Sequence, residues 1–138
     1  MHALNDAPGR VAERGAGPTR VMIGITLVLL LAQFLLGTYV NLFVPAPNGQ
    51  PLLIAHIVVG TLLLVVALIT TIVAVVGRRP AAAVLSVVGL GLLVAAWIGG
   101  IRFLGAGHSA DSFLMAAGFV LAASSYVVAF DRSRRGNA

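Results

Sequence analysis

The sequence predicts an all-α integral membrane protein, a four-helix bundle with short loops and both termini in the cytoplasm. Three observations predict it. Of the 138 residues, 59% are hydrophobic and only 9% charged, with a mean hydropathy of +1.04. Soluble domains are about 45–50% apolar and about 25% charged, and a chain this short has too little interior to hide the surplus. The apolar residues fall in four unbroken stretches, and the arginines fall between alternate ones.

The stretches run at about 21–44, 52–76, 81–104 and 110–130. A helix needs about 20 residues to cross the hydrocarbon core. Only helices and closed barrels satisfy the backbone in lipid, and barrel strands alternate apolar with polar, which these runs do not. Residues 1–20 are polar and rich in Gly, Ala and Pro, the composition of a disordered tail, and residues 131–138 form a short basic tail. The first apolar run exceeds a signal-peptide core, so no cleaved leader is expected.

Each boundary has a local cause. Pro45, Pro47, Asn48, Gly49 and Pro51 break the chain after the first span, and Pro51 suits a first helical turn. Gly77–Arg78–Arg79–Pro80 turns the chain between spans two and three. Gly105–Ala106–Gly107–His108–Ser109 separates spans three and four, with Ser109 the expected N-cap. Connections this short make neighbouring helices antiparallel.

Arg10, Arg14, Arg20, Arg78, Arg79, Arg132, Arg134 and Arg135 lie on one side of the spans, and Arg102 lies near the other. The positive-inside rule makes the first side cytoplasmic. The net charge of +5 is thereby an orientation signal, with a secondary fit to anionic lipid headgroups and no call for nucleic acid. The expected location is a bacterial cytoplasmic (inner) membrane, the Arg, Ala, Gly and Val bias pointing to a GC-rich genome.

In a bilayer the helix contacts are marked by small and polar residues. Span one carries Thr26, Gln33, Gly37 and Asn41, and span two His56, Gly60, Ala67 and Thr70. Span three carries Gly91, Ala95 and Gly99 at i, i+4 spacing with Arg102 on the same side, and Ser86 and Trp97 opposite. Span four aligns Asp111, Met115, Gly118, Ala122 and Ser125. These stripes are expected to face the bundle interior or a partner helix.

Several chemistries are excluded. There is no cysteine, hence no thiol redox or thiolate metal site. Only four acids exist, Asp6, Glu13, Asp111 and Asp131, and none sits in mid-membrane, where a proton-coupled exporter needs one. Paired carboxylates, a Ser/His/Asp set and a phosphate-binding glycine loop are also missing.

Four ionisable residues remain near the outer end: His56, Arg102, His108 and Asp111. Spans two and four run in the same direction. Imidazoles of His56 and His108 on them would address the two faces of a haem iron, with Arg102 on a propionate. The structural alternatives are a solvated His108, Asp111 at a helix start, Arg102 paired with Asp111, and His56 bonded to Asn41 or Gln33.

The stretch Ala32–Gln33–Phe34–Leu35–Leu36–Gly37–Thr38–Tyr39–Val40–Asn41 closes the first span, and His56–Ile57–Val58–Val59–Gly60 opens the next. This layout resembles one four-helix half of the haem A synthase family. There a Gln and a Gly end the odd-numbered span and a His opens the even-numbered one. Gln33, Gly37 and His56 match, and His108 stands near the place of a second ligand. Leu36–Leu42 also echoes Ile98–Leu104 within the chain. The chain has about half the family's length, and Pro51–Leu52–Leu53–Ile54–Ala55 lacks the Glu that precedes the first His in the family's catalytic half. The resemblance therefore implies a half-sized haem b carrier or a non-catalytic relative rather than haem A synthesis.

Two function classes follow. One is a non-catalytic accessory or assembly subunit, docking on other membrane subunits or a second copy through Gly91, Ala95 and Gly99. The other is a b-type haem protein for electron transfer or haem handling, using His56, His108 and Arg102.

Overall fold

The computed structural model describes residues 7–43 and 50–135, and in it the four apolar stretches are four helices. They are α1 (Ala7–Phe43), α2 (Gln50–Val76), α3 (Pro80–Ala106) and α4 (Ser109–Arg135). All four are long and apolar enough to span a bilayer. The protein is therefore a small multi-pass membrane protein built as an all-α four-helix bundle. Pro45, Pro47, Asn48 and Gly49 lie outside the described residues.

Two ends differ from expectation. Residues 7–20, expected as a loose tail, belong to α1, with Pro18 inside the helix. Near this end Thr19 is fully buried, and Arg20 lies over the Phe130 ring at 5.5 Å. A cation held over an aromatic face ties α1 to α4 at this end. Likewise α4 runs on to Arg135, into the expected second tail.

The turns follow the local chemistry. Pro80 occupies the first turn of α3. Gly107 ends that helix in the left-handed region at φ 69°, its N–H donating to the Phe103 carbonyl at 2.8 Å. The expected cap at Ser109 moves back by one residue. The His108 carbonyl accepts from Asp111 N–H at 3.1 Å, which places Ser109 already inside α4.

The helices form two antiparallel hairpins, α1–α2 and α3–α4. The α3–α4 pair is the tighter, and glycine is the reason. A Cβ on Gly118 would lie 2.9 Å from the Leu92 carbonyl oxygen, and one on Gly99 2.9 Å from that of Asp111. Ala82, Ser86, Gly89, Leu93, Ala96 and Gly99 line the buried side of α3, at steps of four, three, four, three and three. That spacing keeps a seam on one face of the helix. Gly89 also makes room for Tyr126, whose ring would stand 2.6 Å from a Cβ there. The fully buried Tyr126 hydroxyl donates to the Ser86 carbonyl at 3.4 Å. Between α1 and α2 the hydroxyls of Thr26 and Thr70 meet at 2.8 Å.

The apolar core is displaced toward one end. Its residues are Ile23 and Leu30 of α1, Leu63, Ala67 and Ala74 of α2, Ala82 and Leu93 of α3, and Ala122, Tyr126 and Ala129 of α4. They lie at the helix midpoints or toward the end that carries Arg20, Arg78, Arg79, Arg132 and Arg134, the end assigned to the cytoplasm by the positive-inside rule. The outward faces remain apolar, as at Val28, Val65, Val87 and Val120, which suits lipid contact. The opposite half is less filled, and there the bundle holds cavities.

Candidate functional site

His56 enters the bundle one and a half turns after Gln50 opens α2. Its ring meets Gln33 of α1, with Nε2 3.1 Å from the Gln33 Nε2. Two glycines make this pairing possible. A Cβ on Gly37 would stand 2.8 Å from the His56 Cε1, and one on Gly60 2.9 Å from the Gln33 Nε2. Gln33 and Gly37 sit four apart on α1, and His56 and Gly60 four apart on α2. Each helix thus offers one polar side chain and one gap, and the antiparallel pair fits them reciprocally.

The pair is incompletely satisfied. Both His56 Nδ1 and Gln33 Oε1 are buried without a hydrogen-bond partner among the described residues. Buried polar groups are normally paired, so such orphans need a reason. The geometry allows two tautomers. With the Gln33 amide NH2 donating to Nε2, the ring proton rests on Nδ1. With the amide turned, Nε2–H donates to Oε1 and Nδ1 carries a free lone pair.

Two cavities meet at this residue. One, of about 270 Å³, lies along α2 and α3 and includes Leu53, Ile57, Trp97 and Ile101 in its wall. The other, of about 390 Å³, lies along α1 and α4 and includes Gln33, Phe34, Phe119 and Val120. Phe34 and Phe119 stack at 6.1 Å between centroids. Gly37, His56 and Met115 line both cavities. These three residues form a partition between two apolar chambers, Gly37 and His56 from the α1–α2 hairpin and Met115 from the α3–α4 hairpin.

The remaining rim residues group separately. The Arg102 Nε lies 3.1 Å from Asp111 Oδ1, and the His108 Nδ1 3.8 Å from Oδ2. Asp111 is buried, while the side chains of Arg102 and His108 are 66% and 72% exposed. The carboxylate also sits in the first turn of α4, where the helix dipole favours it. Of the alternatives open in the sequence, the structure has Arg102 on Asp111 and His56 on Gln33. His108 is not a wall of either cavity. Exposed ion pairs contribute little. Asp111→Ala is accordingly expected to lower stability by about 1 kcal/mol, combining the pair and the helix-dipole term. Thermal unfolding in detergent measures it, and a loss several times larger would mean that the rim holds the fold together.

The expected ridge on α3 is divided. Gly99 is buried against α4, Ala95 is half-buried, and Gly91 is exposed with nothing within 4 Å of a Cβ built on it. Ser86, expected on the opposite face, is fully buried in the α3–α4 seam. Ser125 lies beside that seam and bonds its own helix at the Leu121 carbonyl, and Tyr126 takes the interior place.

Met115 entered the sequence reading only as part of a packing stripe, yet it shares both cavity walls with His56. A usable signal was present. Met115 follows the start of α4 by six residues, as His56 follows the start of α2. Comparison with known proteins adds no family: no family model, curated protein or solved structure matches the chain.

Proposed function

We propose that this is a small b-type haem protein of the membrane, holding haem between its two hairpins with His56 as an axial ligand. The observation that carries this is the half-buried His56, whose Nδ1 has no partner among the described residues and which lines two apolar cavities at once.

The donor set suits a group of this kind. No cluster of three or more His, Cys, Asp or Glu exists among the described residues, so a bare ion finds too few ligands. Haem iron brings four nitrogens of its own and asks the protein for one or two axial donors. With its amide turned so that Oε1 faces the ring, Gln33 accepts the N–H of the other ring nitrogen and fixes the tautomer, as carbonyl groups do in many metal sites. Gly37 supplies a gap beside the ring, and the chamber walls are largely aliphatic and aromatic. When bound, the group supplies one-electron chemistry, and the chain supplies ligation, a dry pocket and a fixed depth near the outer surface.

The accessory-subunit reading rests on Gly91 alone, whose bare face leaves space for another helix. The haem reading accounts for more of the structure, because it gives a task to the orphaned imidazole and to both chambers.

The test is the absorption spectrum of the detergent-purified protein, before and after reconstitution with haem. A reducible Soret band at one haem per chain is expected. A preparation that stays colourless after reconstitution would sink the proposal.

A further inference from the structure

We infer that Met115, and not His108, is the second axial ligand, so that the site holds iron between an imidazole and a thioether. This rests on the haem reading above and deepens it.

Four observations carry it. First, Met115 and His56 are the two metal-ligating side chains on the wall common to both cavities. Second, they come from opposite hairpins, α4 and α2, so a flat group between the hairpins has one on each side. Third, they stand at one level. Each lies six residues beyond the outer start of its helix, about 9 Å along the axis, and these two helices run in the same direction. His108 precedes α4 altogether, seven residues and about 10 Å above Met115. It faces solvent and Asp111 instead.

Fourth, the thioether is held where a ligand needs to be. Its Sδ lies 3.3 Å from the position of a Cβ on Gly100, so the absence of a side chain there leaves room for the sulfur at the cavity wall. The Met115 backbone nitrogen lies 3.0 Å from the corresponding point on Gly99. That contact fixes the turn of α4 bearing Met115 against α3. The imidazole opposite is fixed by Gln33 and Gly37. Both side chains are thereby held against the cavity walls by their neighbours.

Imidazole–thioether ligation has recognisable consequences. Sulfur is a soft donor that favours the reduced iron, so this ligand pair raises the reduction potential relative to two imidazoles. It also gives the ferric form a weak sulfur-to-iron charge-transfer band at the red end of the spectrum.

The experiment uses the haem-reconstituted full chain. Met115→Leu is close to isosteric and should fold. It is expected to keep the Soret band, to lose the charge-transfer band completely and to turn the ferric iron high-spin. Met115→His should restore a low-spin spectrum without that band and lower the midpoint potential. His108→Ala should leave spectrum and potential unchanged. A Met115→Leu spectrum identical to that of the unaltered protein, or a low-spin form abolished by His108→Ala, would overturn the assignment while haem binding itself stands. Absence of any Soret band in the unaltered protein would overturn haem binding, and the assignment with it.

Discussion

Gly118→Leu is expected to push α3 and α4 apart and to cost about 3 kcal/mol, the upper end for an overpacked interior. The reason is what surrounds the position. A Cβ there meets the Leu92 carbonyl oxygen at 2.9 Å, the Ala96 Cβ at 3.1 Å and the Ala96 nitrogen at 3.2 Å. Two of these are backbone atoms of a helix and have no rotamer to escape into. Packing is also the main force available, since lipid tails are as apolar as the helices and give them no hydrophobic reason to associate. Relief therefore requires moving α3 as a whole, which also releases Gly99 from Asp111 and Met115. The measurement is the unfolding midpoint in mixed detergent micelles. Gly91→Leu supplies the control, because a Cβ at Gly91 meets nothing and its cost should stay within about 0.5 kcal/mol. Equal midpoints for the two variants would show that the α3–α4 contact is looser than drawn.

The contrast between these two glycines shows where sequence reading ends. The spans were readable because lipid imposes length and hydropathy on every residue of a crossing segment. The Gln33–His56 contact was readable as one of two partners, because few polar groups exist within reach on neighbouring helices. The buried face of α3 was not. Gly91, Ala95 and Gly99 form a neat run at i+4, but each such step rotates by about 40° around the helix. A seam that stays on one side mixes steps of three and four, as Ser86, Gly89, Leu93, Ala96 and Gly99 do. In a helix apolar all round, polarity does not tell the two patterns apart, and only the partner's backbone decides between them.

The rim carried a related ambiguity. His56, Arg102, His108 and Asp111 are all near one end in sequence terms, and charge alone draws them into one cluster. The structure separates them by about one turn of α4, the distance from Asp111 to the level of Met115 and His56. Asp111 collects Arg102 and His108 at the surface, and His56 lies deeper with Gln33. A carboxylate near the helix start outcompetes more distant partners for Arg102 and His108. The thioether at the level of His56 has no charge to advertise it. Its place beside His56 emerges only from helix register and from the bare faces of Gly99 and Gly100.

Gly37→Leu is expected to yield a folded protein that takes up less than a tenth of the haem of the unaltered chain. A Cβ at Gly37 meets the His56 Cε1 at 2.8 Å and Nδ1 at 3.3 Å, so the imidazole must leave its place. The rest of the new side chain has somewhere to go, because Gly37 borders both cavities. Filling empty space offsets the clash, so the unfolding midpoint should stay far closer to that of the unaltered protein than in Gly118→Leu. His56→Ala should lose haem to the same extent by removing the ligand while leaving the chamber open. Gly60→Ala separates the ligand's own contact from that of its neighbour. Its Cβ meets the Gln33 Nε2 at 2.9 Å, the far end of a flexible side chain, which can withdraw while His56 keeps its position. Haem uptake should survive there, with a spectrum shifted by loss of the Gln33 hydrogen bond. The ordering carries the weight: Gly37→Leu and His56→Ala colourless, Gly60→Ala coloured and shifted. Haem retained in full by Gly37→Leu would mean that it binds away from the partition between the two chambers, since a side chain at that point and a group held by His56 cannot occupy the same space.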